Sequence, residues 1–259
     1  MNIVTFTKRV PVTQEEELRI TGDGEAVDLS KLPYKVNDWD NYAVEEAVRI
    51  VEKTGGSVTA VAVGDAESDE VLRRAIAMGA KDGFLVEMAQ AVQDPFARAA
   101  LIANFIKNEK VPFDVIFTGV QSEDDQFGSV GGILAALLKL PYSSMVIGID
   151  KVEPDHMVIR RELEGGLQER VRISLPCVLS IQSGINEPRY VSIMGIRKAS
   201  KVERKVFQGN AYEEGAGAMI EAVKWVYPPR KEGAMMLSGE LEDVCKNLVG
   251  ILKEKGVYQ

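Results

Sequence analysis

The chain has 259 residues, 46% of them apolar and 27% charged, with 31 Lys and Arg against 39 Asp and Glu and a formal charge of −8. That length encloses a sizeable core, because chains of this size bury roughly 70% or more of their unfolded surface. The acidic balance excludes nucleic acid as the main partner, which needs a clustered positive surplus. Membrane insertion is excluded as well, because the longest apolar runs, such as Gly131 to Leu138, fall far short of a ~20-residue span.

Ile3 to Phe6 is a β-rich run at the very start. It is entered directly, without the basic-then-apolar layout of a signal peptide. Two cysteines, Cys177 and Cys245, set out neither a disulfide framework nor a zinc site, so a reducing, cytoplasmic location is the expectation. Leu18 to Leu29 turns back at Gly22-Asp23-Gly24 as a hairpin. Asn37 stands as an N-cap with Asp40 at the third helical position, and Trp39, Ala43, Ala47 and Ile50 recur at helical spacing. Gly55-Gly56 stops that helix. Val58 to Val63 is apolar without alternation, as a parallel strand covered on both faces requires. Val71, Leu72, Ala75 and Ile76 mark a second helix ending at Gly79, and Phe84 to Val86 another strand. Asp94-Pro95 opens a third helix, Phe113 to Thr118 is a buried-type strand, and Val130 to Leu138 is a helix closed by Pro141. Strands alternating with helices predict an α/β fold with a doubly wound parallel sheet.

The pattern changes after Pro141. Met157 to Leu163 and Leu167 to Ile173 flank Gly165-Gly166 and predict an antiparallel hairpin at the margin of the sheet. Cys177 to Ile181 is one more strand. From Ser200 to Met236 no period survives, which is unusual inside a compact domain. Such a stretch is either a surface-hugging tail or an arm whose contacts lie on another subunit. The closing helix favours the arm, since its apolar stripe of Leu241, Val244, Leu248 and Leu252 needs a surface to cover it.

In an open parallel sheet, ligands bind beyond the carboxyl ends of the strands near the switch point. Phe6–Arg9, Asn37–Asp40, Val61–Gly64 and Gly119–Ser122 converge there. The last continues as GVQSEDDQFGSVGG from Gly119 to Gly132 and ends at a helix N-terminus. Backbone N–H groups and the helix dipole hold a phosphate at such a place without any lysine. Ser129, Val130 and Gly131 are the positions set against it. The loop has neither the GxxxxGK[ST] nor the GxGxxG spacing, so an ordinary βα loop stays open as a reading. Asp124 and Asp125 are a metal-binding or acid–base pair, or simply two solvated acids. The single histidine, His156, lies in a polar turn and builds no catalytic triad or His-ligated metal site. Both cysteines sit in apolar sequence and are expected in the core.

The strongest local signal is IRRELEGGLQERVRISLPCVLSIQSGINEPRY, Ile159 to Tyr190, continuing to IRKASK at Ile196 to Lys201. It closely resembles the β subunit of electron-transferring flavoproteins, where the equivalent stretch runs RExEGGxE…LP…LNEPRY and then Ile-Met-Lys-Ala. The resemblance extends through TKRV at Thr7 to Val10, AVEEAVRI at Ala43 to Ile50 and AxxMGA around Met78, and covers most of the chain to about Lys201.

The resemblance implies a fold of adenine-nucleotide-binding, Rossmann-like type over residues 1–185. It adds a partner-recognition loop at 186–200, and an arm with a C-terminal helix at 201–259 that packs on an α subunit. In this family the α chain holds a redox-active FAD on a mobile domain. The pair shuttles electrons between acyl-CoA dehydrogenase-type flavoenzymes and a downstream acceptor such as a quinone-linked oxidoreductase. The β chain is an electron-carrier subunit and not an enzyme, and it commonly binds AMP with no chemistry done on it. The matching nucleotide positions are Phe6, Asn37, Asp38, Trp39, Asp40 and Val63, then Gln121, Asp124, Gly128, Ser129, Val130 and Gly131. Ile193 stands where the family has an apolar docking anchor, flanked by Val191 and Met194. The loop reads SIMGIRKAS here where the family often has TLPNIMKAK, so the identity of the partner stays open. Glu162 matches an acid that reaches the flavin domain of the α chain. The tyrosine that the family often places after the first strand is missing from Val10 to Thr13.

A subset of the family carries a second FAD in place of AMP, oxidises NADH and bifurcates electrons. That subset tends to show KQVPDT and DGDTAQVGP, where this chain has KRVPVT at Lys8 to Thr13 and DDQFGSVGG at Asp124 to Gly132. The first favours the AMP type. The second is mixed, since Val130-Gly131 fits the bifurcating pattern. AMP is therefore the expectation and a second FAD the alternative. An ATP-dependent adenylating enzyme on the same fold would need a Ser-Gly-Gly-x-Asp phosphate loop, which the sequence lacks.

Overall fold

The first strand, β1 (Asn2–Thr7), sends Ile3 into one apolar cluster and Val4 and Phe6 into another, so both of its faces are covered. A computed structural model describes residues 1–14, 17–88, 94–208, 219–229 and 233–257. After β1 come β2 (Arg9–Pro11), the hairpin strands β3 (Arg19–Thr21) and β4 (Ala26–Asp28), and β5 (Tyr34–Val36), which pairs back on β2. The alternating part follows as α1 (Asp38–Thr54), β6 (Ser57–Gly64), α2 (Asp69–Met78), β7 (Asp82–Glu87), α3 (Pro95–Glu109), β8 (Val115–Gly119) and α4 (Val130–Leu138). Then come β9 (Tyr142–Val152), β10 (His156–Glu162), β11 (Gln168–Ser174), β12 (Cys177–Ile181), α5 (Ile193–Ala199), β13 (Lys205–Gln208) and α6 (Leu241–Glu254).

The main sheet has the order β11-β10-β9-β12-β8-β1-β6-β7-β13. From β9 to β13 neighbouring strands are parallel, while β10 runs antiparallel to both β9 and β11. Ala43, Ala47 and Leu72 of α1 and α2 pack on one face, and Leu101, Phe105 and Leu134 of α3 and α4 pack on the other. The doubly wound sheet and its marginal hairpin are as the sequence predicts. β6 and β7 are laid on one side of β1, and β8 and β12 on the other. The topological switch therefore falls between β1 and β8, where helix-bearing connections diverge to opposite faces and leave a crevice. Gly79, at φ +132°, ends α2 in a conformation that L side chains avoid, and a Cβ there would lie 2.9 Å from Val48 Cγ1.

Four strands escape the sequence reading, the short pair β2 and β5 and, in the main sheet, β9 and β13. β9 contains Ser143, Ser144 and Gly148 and is only partly buried, so it shows neither an apolar run nor clean alternation. Its signal is tertiary: it joins the parallel body through β12 and the antiparallel margin through β10. β13 lies within the stretch from Ser200 expected to have no regular structure. Four mostly exposed residues carry no period, and backbone pairing with β7 makes them a strand. Residues 209–218 and 230–232 of that stretch lie outside the described residues.

The described part of the arm, 219–229, is tied to the body at three places. Asp94 caps α3 by accepting from the N–H groups of Phe96 at 2.7 Å and Ala97 at 3.3 Å. Its other oxygen accepts from the N–H groups of Met219 and Ile220. Trp225 N donates to Gly24 O at 2.8 Å, and Tyr227 Oη bridges Ile20 N and Leu18 O. α6 buries none of its residues, and Leu241 and Leu248 are exposed on it. Among the described residues no helix is long and apolar enough to cross a membrane. Asp94→Ala strips acceptors from both the α3 terminus and the arm. It is expected to cost about 1–3 kcal/mol in urea unfolding and to speed amide exchange at Met219 and Ile220.

Candidate functional site

A cleft of about 590 Å³, open to solvent, lies beyond the carboxyl ends of β1 and β8. Phe6, Val63 and Thr118 at the strand ends line it, with Arg98 and Ile102 of α3 and Val130 of α4. Its rim is formed by Lys8, Asn37, Asp40 and the loop from Gly119 to Ser129.

The rim is held by one buried carboxylate. Asp40 Oδ2 accepts from Lys8 N at 2.8 Å and Oδ1 from Gly119 N at 3.1 Å, so the first turn of α1 is fastened to the ends of β1 and β8. Gly119 has to be glycine, since a Cβ there would lie 2.5 Å from Asp40 Oδ1. Burial pushes the Asp40 carboxyl up to about 7, although the N–H groups of Lys8 and Gly119 and the Asn37 side chain pull the other way. Asn37 occupies the N-cap position, but its side chain makes no cap. Instead Nδ2 donates to Gln121 O at 2.9 Å and Oδ1 accepts from Glu123 N at 3.2 Å, holding the loop against α1.

Lys8 grips the middle of that loop. Its Nζ donates to Ser122 Oγ at 3.0 Å and to Asp124 and Asp125 at 2.7 Å each. The two acids thus anchor the lysine and are not merely solvated. Burial would raise the Asp125 carboxyl, but the Lys8 charge and its hydrogen bonds from Lys8, Ser122 and Phe127 hold it below the usual range. Burial lowers the Arg98 guanidinium from its ordinary value, opposed by the charges of Asp125, Asp124 and Asp40. At the helix end of the loop, a Cβ on Gly131 would lie 2.3 Å from Ser180 Oγ and 2.8 Å from Thr118 Oγ1. This close approach seats the first turn of α4 directly on the ends of β8 and β12. The leading N–H groups of a helix have no intrahelical partner, so such a terminus favours an anion.

Of the nucleotide positions expected from sequence, Phe6, Asn37, Asp40, Val63, Gln121, Gly128, Ser129 and Val130 line the cleft. Four stand behind it. Asp38 pairs with Lys35 at 3.0 Å, Trp39 Nε1 donates to Gln182 Oε1 at 2.8 Å, Asp124 holds Lys8, and Gly131 turns toward Ser180. Sequence reasoning brought the stretches holding Lys8 and Asp125 to the site without giving either a lining role, and it missed Arg98, Ile102 and Thr118. The clue for Arg98 is a charge flanked by Ala97, Ala99, Leu101 and Ile102, on a helix that buries those neighbours.

Glu162 ends β10, exposed and opposite Gln168, with β9, β12 and β8 between its strand and β1. Ile193 and Met194 are 74% and 75% exposed at the start of α5, with Tyr190 at 89% just before them. Val191, grouped with them from sequence, is instead buried in the core beneath α1 and α2. Cys177 is buried, its thiol pushed up to about 12 by burial, whereas Cys245 is exposed on α6 and not core-packed as expected. Among the described residues no group of three or more His, Cys, Asp and Glu side chains is placed to hold a metal ion.

These features define a doubly wound α/β protein with a ligand-sized cleft at its switch point. Residues 26–214 match the family model described as an electron transfer flavoprotein domain. The chain is 35% identical over 263 residues to the electron transfer flavoprotein subunit beta of Methylophilus methylotrophus, covering 98% of both chains. It is 31% identical to that of Bacillus subtilis, again over 98% of both, and 30% identical to that of Homo sapiens, over 99% of this chain and 98% of the other. The chain belongs to the electron transfer flavoprotein family, and its likeness is to the β subunits.

The proton held by a raised Asp40 carboxyl is one the unfolded chain loses near pH 4. Its contribution to stability therefore falls as pH rises between about 4 and 7. Asp40→Asn removes that titration and puts an NH₂ against one of two N–H donors, so a loss of about 1–3 kcal/mol is expected. The gap from wild type should be wider at about pH 5 than at about pH 7.5, as read from urea midpoints.

Proposed function

We propose that this chain is the β half of a two-chain electron carrier. In this reading it holds AMP as a structural nucleotide and pairs through its arm with an α subunit that carries FAD. It docks an acyl-CoA dehydrogenase-type flavoenzyme through the segment 186–200. The bound FAD supplies the reversible electron acceptance, and this chain contributes positioning.

The cleft suits a mononucleotide. Phe6, Val63 and Ile102 offer an apolar wall for a flat ring, Asn37 and Asp40 a polar rim, and the first turn of α4 with Arg98 a place for a phosphate. Asp40 and Lys8 keep the cleft in shape by fixing the start and the middle of its loop.

The observation that carries the docking reading is the outward display of Tyr190, Ile193, Met194 and Ile196 around a helix whose Ala199 faces inward. Apolar side chains clustered in this way on a protruding element are suited to a partner's pocket. A contact confined to a few aliphatic groups docks a partner while leaving a flavin-bearing domain free to move. The exposed row of Leu241 and Leu248 on α6, beyond an arm that carries exposed Val223 and Val226, supports cover by a second chain. Glu162, exposed at the hairpin tip, is free to make the weak ion pair that a swinging domain tolerates.

The heterodimer is expected to release one FAD and one AMP on acid denaturation. Two FAD and no AMP would replace this reading with the bifurcating one, which the Val130-Gly131 pair favours. Ile193→Ala is expected to slow interprotein electron transfer about tenfold or more at unchanged FAD content, as loss of a docking anchor does. Transfer at the wild-type rate removes the docking role.

A further inference from the structure

The docking helix cannot order itself. α5 has seven residues, with Gly195 at the third, and isolated helices shorter than about 12–15 residues are marginal in water. Of its own apolar side chains only Ala199 is buried, while Ile193, Met194 and Ile196 face solvent. One buried methyl contributes about 0.8 kcal/mol or less, against about 1–2 kcal/mol of backbone entropy for each residue fixed. α5 also lies on α2, but it buries little side chain there, and the rest of its order comes from the chain on either side.

On the amino-terminal side the tether is Arg189. Its Nε donates to Glu45 Oε2 at 2.8 Å and Nη2 to Glu45 Oε1 at 3.2 Å, while Nη1 and Nη2 reach the two oxygens of Glu52 at 2.8 and 3.2 Å. The backbone N–H of Arg189 also donates to Glu45 at 3.1 Å, and Asn186 Nδ2 donates to Tyr42 O and Glu46 of the same helix. The Glu45 side chain is only 6% exposed, so this pair is unlike an exposed ion pair, worth about 0–1 kcal/mol. Removing one partner strands a buried charge. Val191 follows at once and inserts into the core.

On the far side the tether is Arg204, whose Nη1 lies 2.5 Å from Asp69 Oδ2. Asp69 is mostly buried at the start of α2 and also holds Arg73, and the next residue, Lys205, begins β13 in the sheet. Between the tethers, Ser192 Oγ accepts from Gly195 N at 3.1 Å and starts the helix.

We infer that Arg189 and Arg204 are positioning residues that clamp α5 onto α1 and α2, so that Ile193, Met194 and Ile196 are presented in a preformed arrangement before any partner arrives. This rests on the docking reading above. A preformed element spares the encounter the ordering of 190–203. The clamp therefore governs how readily a partner is captured, and not cofactor loading.

The test uses the heterodimer produced with its α chain, and an acyl-CoA dehydrogenase reduced by its acyl-CoA as the probe. Arg189→Lys keeps the charge but cannot span both glutamates, and Arg204→Met keeps an apolar stem without the charged head. Each is expected to speed amide exchange across 193–203 about tenfold. Each should also raise KM for the probe about fivefold, with the saturating rate within about twofold and AMP and FAD content unchanged. Glu52→Gln loosens only the exposed half of the clamp and should move both readouts the same way by less, which serves if Arg189→Lys fails to fold. Wild-type exchange or wild-type KM in these variants overturns the clamp, and leaves docking intact where Ile193→Ala still slows transfer. Full-speed transfer by Ile193→Ala overturns docking and the clamp together.

Discussion

Everything above the sheet hangs on the Asp40 carboxylate. Parallel strands end with their backbone groups spent on one another, and the loops that leave them have no ladder to fix them. One buried side chain at the third position of α1 supplies what the ladder cannot, taking the N–H of Lys8 past β1 and the N–H of Gly119 at the end of β8. Because these two strands flank the switch point, the same contact sets the width of the cleft. Gly119 gives way by having no side chain, and Lys8 reaches across to Ser122, Asp124 and Asp125 to hold the loop. A desolvated carboxylate is costly, and its raised pKa expresses that cost.

α1 links the two regions that matter for function. Its first turn forms the rim of the cleft through Asn37 and Asp40. Two and four turns further on, Glu45 and Glu52 face the other way along the chain and hold Arg189. One rigid helix packed by Ala43, Ala47 and Ile50 thus sets the cleft and the segment proposed for docking in one frame. The arm follows a different logic. It is stapled to the body through Asp94 and Gly24, while Val223, Val226 and Leu241 among its described residues stay exposed.

Much of this was legible in order along the chain. Gly55, Gly79 and Asp94 mark helix ends by local backbone chemistry, and the apolar runs of β6 and β8 mark buried parallel strands. β9 was hidden because a strand that is half-buried at the junction of two pairing modes has no period of its own. β13 was hidden because four mostly exposed residues become a strand by lying beside β7, with Phe207 set on Phe105. The cleft was legible as strand ends and a helix start. The roles of its polar residues were not: Asn37 looked like a cap and serves the loop, and the acids beside it looked solvated and hold Lys8.

By itself the sequence determined the alternation of elements, the doubly wound sheet and the family resemblance. Those depend on periodicity, turn chemistry and motif spacing, which are local. Tertiary structure alone decided that Val191 points inward while Ile193 points outward, that Arg98 enters the cleft, and that Arg189 finds its partners on a helix more than 130 residues away. Such pairings are set by which faces meet once the sheet has closed. A charge in a linear sequence carries no mark of the buried partner it will have.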